Sequence, residues 1–242
     1  MRVPRIYHSA PLQVGQNIAL DPDAANHVGR VLRLTDGAKV ELFCGDHCSY
    51  FGTITSASKK HVQVAIESKQ PTETESPIRI HLAQGISRGD RMDFALQKSV
   101  ELGVHTITPI FTERCTVKLQ GERLEKKLQQ WQKIVVSACE QSGRNFVPQV
   151  NPAITLEQWL QQNSEQRVLV LDPTAKHSIA QLDKSDAFGL VIGPEGGLSE
   201  QEIEHCITQG AKGVLLGPRI LRTETAALAA LTALQLKFGD LQ

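Results

Sequence analysis

The chain has no net charge: 26 lysines and arginines balance 26 aspartates and glutamates over 242 residues. A protein that coats nucleic acid non-specifically is usually basic, so the balance speaks against that role while leaving room for a local basic patch. No apolar run approaches the length of a membrane span, and the opening MRVPRIYHS lacks the apolar core of a signal peptide. Five cysteines, odd in number and scattered, fit reduced thiols in a cytoplasmic protein. Cys44, His47 and Cys48 lie close together, but no second closely spaced ligand pair accompanies them, and no metal site is predicted. There is no internal repeat and no low-complexity tract. No Gly-Lys-Ser/Thr phosphate loop and no G-x-G-x-x-G occurs, which argues against a nucleotide-dependent α/β enzyme. What remains is ordinary for a globular protein, 40% apolar and 21% charged, with length for one large or two small domains.

The most informative stretch is 188–226, FGLVIGPEGGLSEQEIEHCITQGAKGVLLGPRILRTETA. Phe188–Ile192 and Gly213–Leu216 are short apolar runs bounded by glycine, the pattern of buried parallel strands. Each leads into Gly-Pro and then a helix start. After the first, Ser199 and Glu202 have capping-box spacing. After the second, Thr223 is the expected N-cap of an Ala/Leu-rich helix reaching Lys237, with Gly239 beyond it. Strand, glycine loop and helix thus occur twice in succession. Loops at the carboxyl ends of strands make the ligand crevice of α/β sheets, and glycine lets a ligand lie against the backbone. Tight turns without a ligand are the alternative on loop shape alone.

Upstream, residues 1–70 carry short alternating runs, Val40–Phe43, Tyr50–Thr55 and His61–Ile66, with one helix from an Asp21 N-cap to about Leu32. This reads as a small, mostly β barrel. Arg2, Arg5, Arg30 and Arg33 have no acidic neighbour in sequence, and together they suggest a phosphate-contacting face. The polar stretch 67–77, with two prolines, reads as a linker; the expected partition is 1–70, a linker at 71–77, and 78–242. From Ile78 strands alternate with helices, which means a parallel sheet covered on both faces. The helix after Leu82 is expected to be capped by Asp90, and a long helix spans Glu122–Ser142.

LVIGPEGGLSEQEIE followed by LLGPRILRTETAALAAL resembles the paired signature of SPOUT-class RNA methyltransferases, more narrowly the RsmE family. The pieces RVPRIYH, AANHVGRVLRL, VELFCGD, GISRGDRMDFALQKSVELGV, ITPIFTERC, KLQQWQKIVVSACEQSGRNFVPQV and LVLDP extend the resemblance over nearly the whole chain. It implies a PUA-like RNA-binding barrel followed by a SPOUT domain with a carboxy-terminal trefoil knot. It also implies a homodimer, S-adenosylmethionine as cofactor, and methylation of N3 of a uridine in 16S ribosomal RNA, free or in the small subunit. Carried over residue by residue, Gly193, Glu195, Gly196 and Gly197 of the first loop become cofactor residues. So do Leu216, Gly217, Ile220, Leu221, Arg222, Thr223 and Thr225 of the second, with Leu171 and Pro173 after a third strand. Ala226 and Ala227 are expected to serve helix packing.

Neutral uridine is a poor nucleophile at N3, so the chemistry calls for a base or for donors that stabilise an anionic uracil. Arg222 and Arg144 are candidates to stabilise the uracil oxygens, and Glu140 or Glu195 to accept the proton. The alternative is that Glu195 braces its loop and Glu140 pairs with Arg144. Other functions compatible with the fold are a SPOUT enzyme for another RNA site and a non-catalytic ribosome assembly factor.

Overall fold

The structure, a computed structural model, describes residues 3–58, 61–164 and 167–241. The chain forms two compact units: residues 1–75 with 139–147, and 76–138 with 148–242. Among the described residues no helix is long and apolar enough to cross a membrane.

The first unit holds β1 (Arg5–Tyr7), β2 (Asn17–Ala19), α1 (Pro22–Asn26), β3 (Lys39–Phe43), β4 (Cys48–Ala57) and β5 (Val62–Pro71). They form one sheet in the order β1-β3-β4-β5-β2, parallel only between β1 and β3. Ile6, Val28, Val40, Leu42, Tyr50, Ile54 and Val64 are buried against one another on it. β4 slips register twice, after Phe51 and after Ile54. At the first slip a Cβ on Gly52 would lie 2.5 Å from the Ala65 carbonyl oxygen, so only glycine fits where the strands close up.

Two expectations here need correction. The helix predicted to Leu32 ends at Asn26 and continues as a wider π turn, His27–Val31. Asp21 does hold the N-cap position, but its carboxylate accepts from the Ser9 amide and hydroxyl instead of from the helix. The polar stretch 67–77 begins as strand, because β5 stays paired with β4 as far as Cys48↔Pro71. Polar residues belong there because the last five positions of β5 are exposed.

The second unit holds β6 (Arg79–Gly85), α2 (Asp90–Glu101), β7 (Thr106–Phe111), α3 (Gly121–Ser142), β8 (Gln149–Val150), β9 (Ile154–Thr155), α4 (Leu156–Gln162), β10 (Arg167–Leu171), β11 (Ala187–Ile192), α5 (Glu200–Thr208), β12 (Lys212–Val214) and α6 (Thr223–Phe238). The last turn of α3 and the loop to Val147 group with the first unit. The sheet is parallel throughout, in the order β12-β10-β11-β6-β7-β8, with β9 also on β7. Apolar residues on its strands, among them Ala83, Ile110, Val168, Val170 and Val191, pack with Trp159, Leu160 and Cys206. That burial pushes the Cys206 thiol up to about 12, and all five cysteines are free. On the other face α2 packs with α6, whose buried Gln235 donates to the Leu102 carbonyl (3.0 Å) and accepts from the Ser76 hydroxyl (2.6 Å). Two helices start one residue earlier than their expected capping side chains suggest. Gly89 and Arg222 are the N-caps, and Asp90 and Thr223 are the first helical residues.

His81 on β6 shows how polar groups inside this unit are satisfied. Trp159 Nε1 donates to His81 Nε2 (3.2 Å), so the proton sits on Nδ1, which donates to Asn163 Oδ1 (3.0 Å). Burial pushes the imidazole pKa down, against the Asn163 bond. An unfolded histidine takes up a proton near pH 6.5 while this one resists it, so the unfolded state binds more protons below that pH. The neutral ring therefore stabilises the fold fully above about pH 6.5, and that stability is lost as the pH falls below it. We expect the melting temperature to drop between pH 7 and 5, with this component absent from His81→Gln. An unchanged pH slope in the variant would show that His81 is not its source.

Candidate active site

β12, β10 and β11 are adjacent in the sheet, so the loops leaving their carboxyl ends are neighbours. They enclose a cavity of about 340 Å³. One wall is Gly193-Pro194-Glu195-Gly196-Gly197, the second is 214–221, and Leu171, Asp172 and Pro173 close it from β10.

The first loop folds tightly on itself. A Cβ on Gly193 would lie 2.7 Å from both the Gly197 carbonyl carbon and the Leu198 nitrogen, and Gly197 has φ +69°. Gly85 at the end of β6 gives it room from below; a Cβ there would meet the Pro194 nitrogen at 2.4 Å. The loop feeds α5 through the predicted capping box, in which Glu202 receives the Ser199 amide (2.9 Å) and Ser199 the Glu202 amide (3.2 Å). Glu202 also accepts from the Glu113 amide (2.8 Å), and Arg114 donates to the Gly196 carbonyl (3.1 Å), which ties the segment after β7 to the same loop.

The second loop is joined to the first by Thr223. Its hydroxyl donates to the Gly193 carbonyl (2.6 Å) and accepts from Gln84 Nε2 (2.9 Å). This task, rather than capping, explains why a threonine stands at the start of α6. Thr223→Val keeps the shape but removes the donor to the Gly193 carbonyl and one of the two acceptors of Gln84 Nε2, whose other is the Gly85 carbonyl (3.1 Å), which costs about 1–3 kcal/mol. We expect the melting temperature to fall by about 2–4 °C for each kcal/mol lost. A melting curve superimposable on wild type would refute the bridge.

Of the residues expected to hold a cofactor, Leu171, Pro173, Gly193, Glu195, Gly196, Gly197, Leu216, Gly217, Ile220, Leu221 and Thr223 line this cavity. Arg222 lines instead an adjoining cavity of about 220 Å³ with Arg91, Glu195, Thr223 and Glu224, and Thr225 lines neither. Thr225 sits exposed on the first turn of α6. Ala226, expected only to pack the helix, lines the main cavity, whereas Ala227 is fully buried. Residues not anticipated include Arg114, Asp172, Ile192, Leu198, Leu215 and Arg219. Arg114 lies in the quoted segment ITPIFTERC, but nothing in a local pattern reveals that it meets Gly196.

Glu195 is held in place. Its carboxylate accepts from the Arg88 amide (2.8 Å) and from Arg91 Nη1 (3.4 Å). Partial burial pushes its pKa up, but the Arg88 amide and the Arg91 charge outweigh this and leave it below the usual carboxylate range. The Arg222 guanidinium is exposed and makes no ion pair among the described residues.

The other candidates belong to the first unit. Arg144 is buried and pairs with Glu75, and Glu140 accepts from the Tyr7 amide (3.0 Å), so the suggested Glu140–Arg144 pair is replaced by two separate partnerships. Burial pushes the Glu140 carboxyl up, against the Tyr7 bond. Arg5 is not part of a surface patch. It is buried, paired with Glu41 (2.8 Å), and donates to the Cys139 carbonyl (2.9 Å) and to Asn145 Oδ1. An arginine spent in this way holds 139–147 in the unit rather than contacting a phosphate. Arg30 and Arg33 are exposed; Arg2 lies outside the described residues.

A parallel α/β sheet with its cavity under two glycine-proline loops, in a chain that also carries a small β unit, defines the architecture of a SPOUT-type RNA methyltransferase. The RNA methyltransferase domain family matches residues 74–235, and the RNA methyltransferase PUA domain family matches 20–67. The chain belongs to the ribosomal RNA small subunit methyltransferase E family. It is 43% identical to the protein of that name from Buchnera aphidicola (Schizaphis graminum), over 99% of this chain and 98% of the relative. With that of Bacillus subtilis it shares 32%, over 92% and 91%. A Legionella pneumophila methyltransferase structure in complex with S-adenosylmethionine superposes with a TM-score of 0.96 at 44% identity, covering 100% of both chains. The ribosomal RNA small subunit methyltransferase E from Neisseria gonorrhoeae, bound to S-adenosylmethionine, does so with a TM-score of 0.92 at 42% identity, again over 100% of both.

Proposed function

We propose that this protein transfers a methyl group from S-adenosylmethionine to N3 of a uridine in 16S ribosomal RNA, in the cytoplasm. The observation that carries the reading is the cavity under the twin loops. Its volume is within the range of about 300–1,000 Å³ usual for small-ligand sites. Its wall combines apolar side chains, Leu171, Ile192, Leu216 and Leu221, with the backbone of Gly193, Gly196, Gly197 and Gly217. An adenosyl group suits such a slot, and backbone groups suit its polar edges. The residues present therefore fit the cofactor that the two bacterial relatives carry.

When bound there, the sulfonium supplies an already electrophilic methyl group. The chain's own part is to hold, align and deprotonate. Gly193, Gly196, Gly197 and Gly217 present backbone to the cofactor, and Leu171, Pro173, Leu216, Ile220 and Leu221 cover it. Thr223 keeps the two loops together, and Glu195 braces the first. Arg222 faces the uracil and stabilises charge on its oxygens. Arg144 and Glu140 support the first unit in this reading, since both are occupied by partners there. Alignment of reacting atoms supplies on the order of 7–11 kcal/mol in the best intramolecular cases.

Residues 1–70 are the RNA-binding module and 78–242 the methyltransferase domain in this reading. Because 139–147 group with the first unit, truncation at residue 70 would strip its partners, and charge reversal is the cleaner test. Arg30→Glu with Arg33→Glu should raise KM for ribosomal RNA by about tenfold or more at low salt while leaving cofactor affinity alone. An unchanged KM would remove these arginines from the RNA face. A carboxy-terminal knot is supported by Leu215, which runs beside the 177–178 segment and donates to the His177 carbonyl (2.8 Å). A homodimer is supported by apolar side chains left in solvent on the packed helices, Phe94 (45% exposed) and Leu236 (57%). Calorimetric titration with S-adenosylmethionine tests the core of the reading: one site per chain is expected, and no binding overturns it.

A further inference from the structure

The second cavity lies against the first. Glu195 and Thr223 are walls of both, and its other walls are Arg91, Arg222 and Glu224. Two features set it apart from ordinary surface. Arg91 is directed toward the site by Glu195 (3.4 Å), whose carboxylate also accepts from the Arg88 amide (2.8 Å). And Glu224 Oε2 is sealed from solvent with no hydrogen-bond partner among the described residues. A dehydrated carboxylate oxygen without a donor is costly, so the site is incomplete until something brings an N–H or O–H to it.

The walls thus offer a cationic donor, an acceptor and a second cationic donor. The Watson–Crick edge of uracil carries the complement: the O4 acceptor, the N3–H donor and the O2 acceptor. Cytosine does not match, because its N3 is an acceptor and its N4 a donor. A base read on this edge must leave its stack, as bases do in enzymes that modify them.

We propose that this second cavity is the nucleobase subsite, that Arg91 and Arg222 take the two uracil oxygens, and that Glu224 is the base that removes the N3 proton. The inference rests on the methyltransferase reading above. In the step, the N3–H proton goes to Glu224 Oε2 and the N3 electron pair bonds to the methyl carbon. The carbon–sulfur bond breaks with its electrons left on sulfur, giving a neutral thioether. Glu195 is the poorer acceptor, since its carboxylate already receives the Arg88 amide and Arg91.

Glu224→Gln tests this, because glutamine can still accept a hydrogen bond from N3 but cannot take its proton. With ribosomal RNA as substrate, kcat should fall about 10²–10⁴-fold, while KM for RNA and calorimetric affinity for S-adenosylmethionine stay near wild type. Glu224→Asp should recover part of the rate. RNA carrying cytidine at the target position should not be methylated. A Glu224→Gln protein with normal kcat would overturn the subsite while leaving the methyltransferase reading in place. Wild type that transfers no methyl group would overturn that reading itself. Unaltered cofactor affinity in the variant shows that it has folded, and a loss of that affinity would assign Glu224 to the cofactor site and contradict the proposal.

Discussion

Arg222→Ala should reduce kcat for ribosomal RNA methylation by about 10²–10³-fold, the usual cost of removing one preorganised donor from a charge-developing site. The same change should leave the melting temperature and the affinity for S-adenosylmethionine close to wild type. The guanidinium is exposed and makes no ion pair among the described residues, so the fold loses little without it. It lines the second cavity and not the first, so cofactor contacts lose little either. Arg222→Lys should rescue only partly, because a point charge cannot reproduce a planar fork of donors. Steady-state kinetics with a melting curve and a calorimetric titration would separate the three effects. Near-normal kcat in Arg222→Ala would remove the residue from the chemistry.

Gly85→Ala should act on the other side of the site, through binding. The added Cβ would lie 2.4 Å from the Pro194 nitrogen and 2.7 Å from the Gly193 carbonyl carbon, both backbone atoms that cannot turn aside. The first loop must therefore move. Overpacking of this kind costs about 1–3 kcal/mol. If that cost falls on the closed loop, cofactor affinity drops by about 10–100-fold, at tenfold per 1.4 kcal/mol. Calorimetry reads it directly. Affinity within twofold of wild type would mean that the Gly193–Gly197 loop does not shape the cofactor cavity.

The parts of this site that were legible in the sequence are local ones. The Ser199–Glu202 capping box needs only three residues of spacing, and the structure has it with both bonds made. The two Gly-Pro loops announce themselves because each follows an apolar run and precedes a helix. What was not legible depends on residues far apart in the chain. Thr223 looks like a cap until Gly193, in the loop after β11, and Gln84, on β6, are seen to claim its hydroxyl. Arg5 looks like a free surface cation because Glu41, Cys139 and Asn145 are distant in sequence. Gly85 gives no local sign of its purpose, which is set by the closeness of Pro194. Gln84 and Gln235 are fully buried polar side chains that no hydrophobic pattern distinguishes from solvent-facing ones. Helix ends failed by one residue where a backbone conformation rather than a side chain sets the cap, as at Gly89, with φ +48°.

The claim underlying all of this is that the loops after β11 and β12 hold a methyl donor beside a subsite for one uracil. Incubating the protein with small ribosomal subunits lacking the modification and with methyl-labelled S-adenosylmethionine, then mapping the RNA by mass spectrometry, tests it most directly. The account predicts label on a single uridine, on the base at N3. Label on a ribose, on another base, or on no nucleotide at all would contradict it.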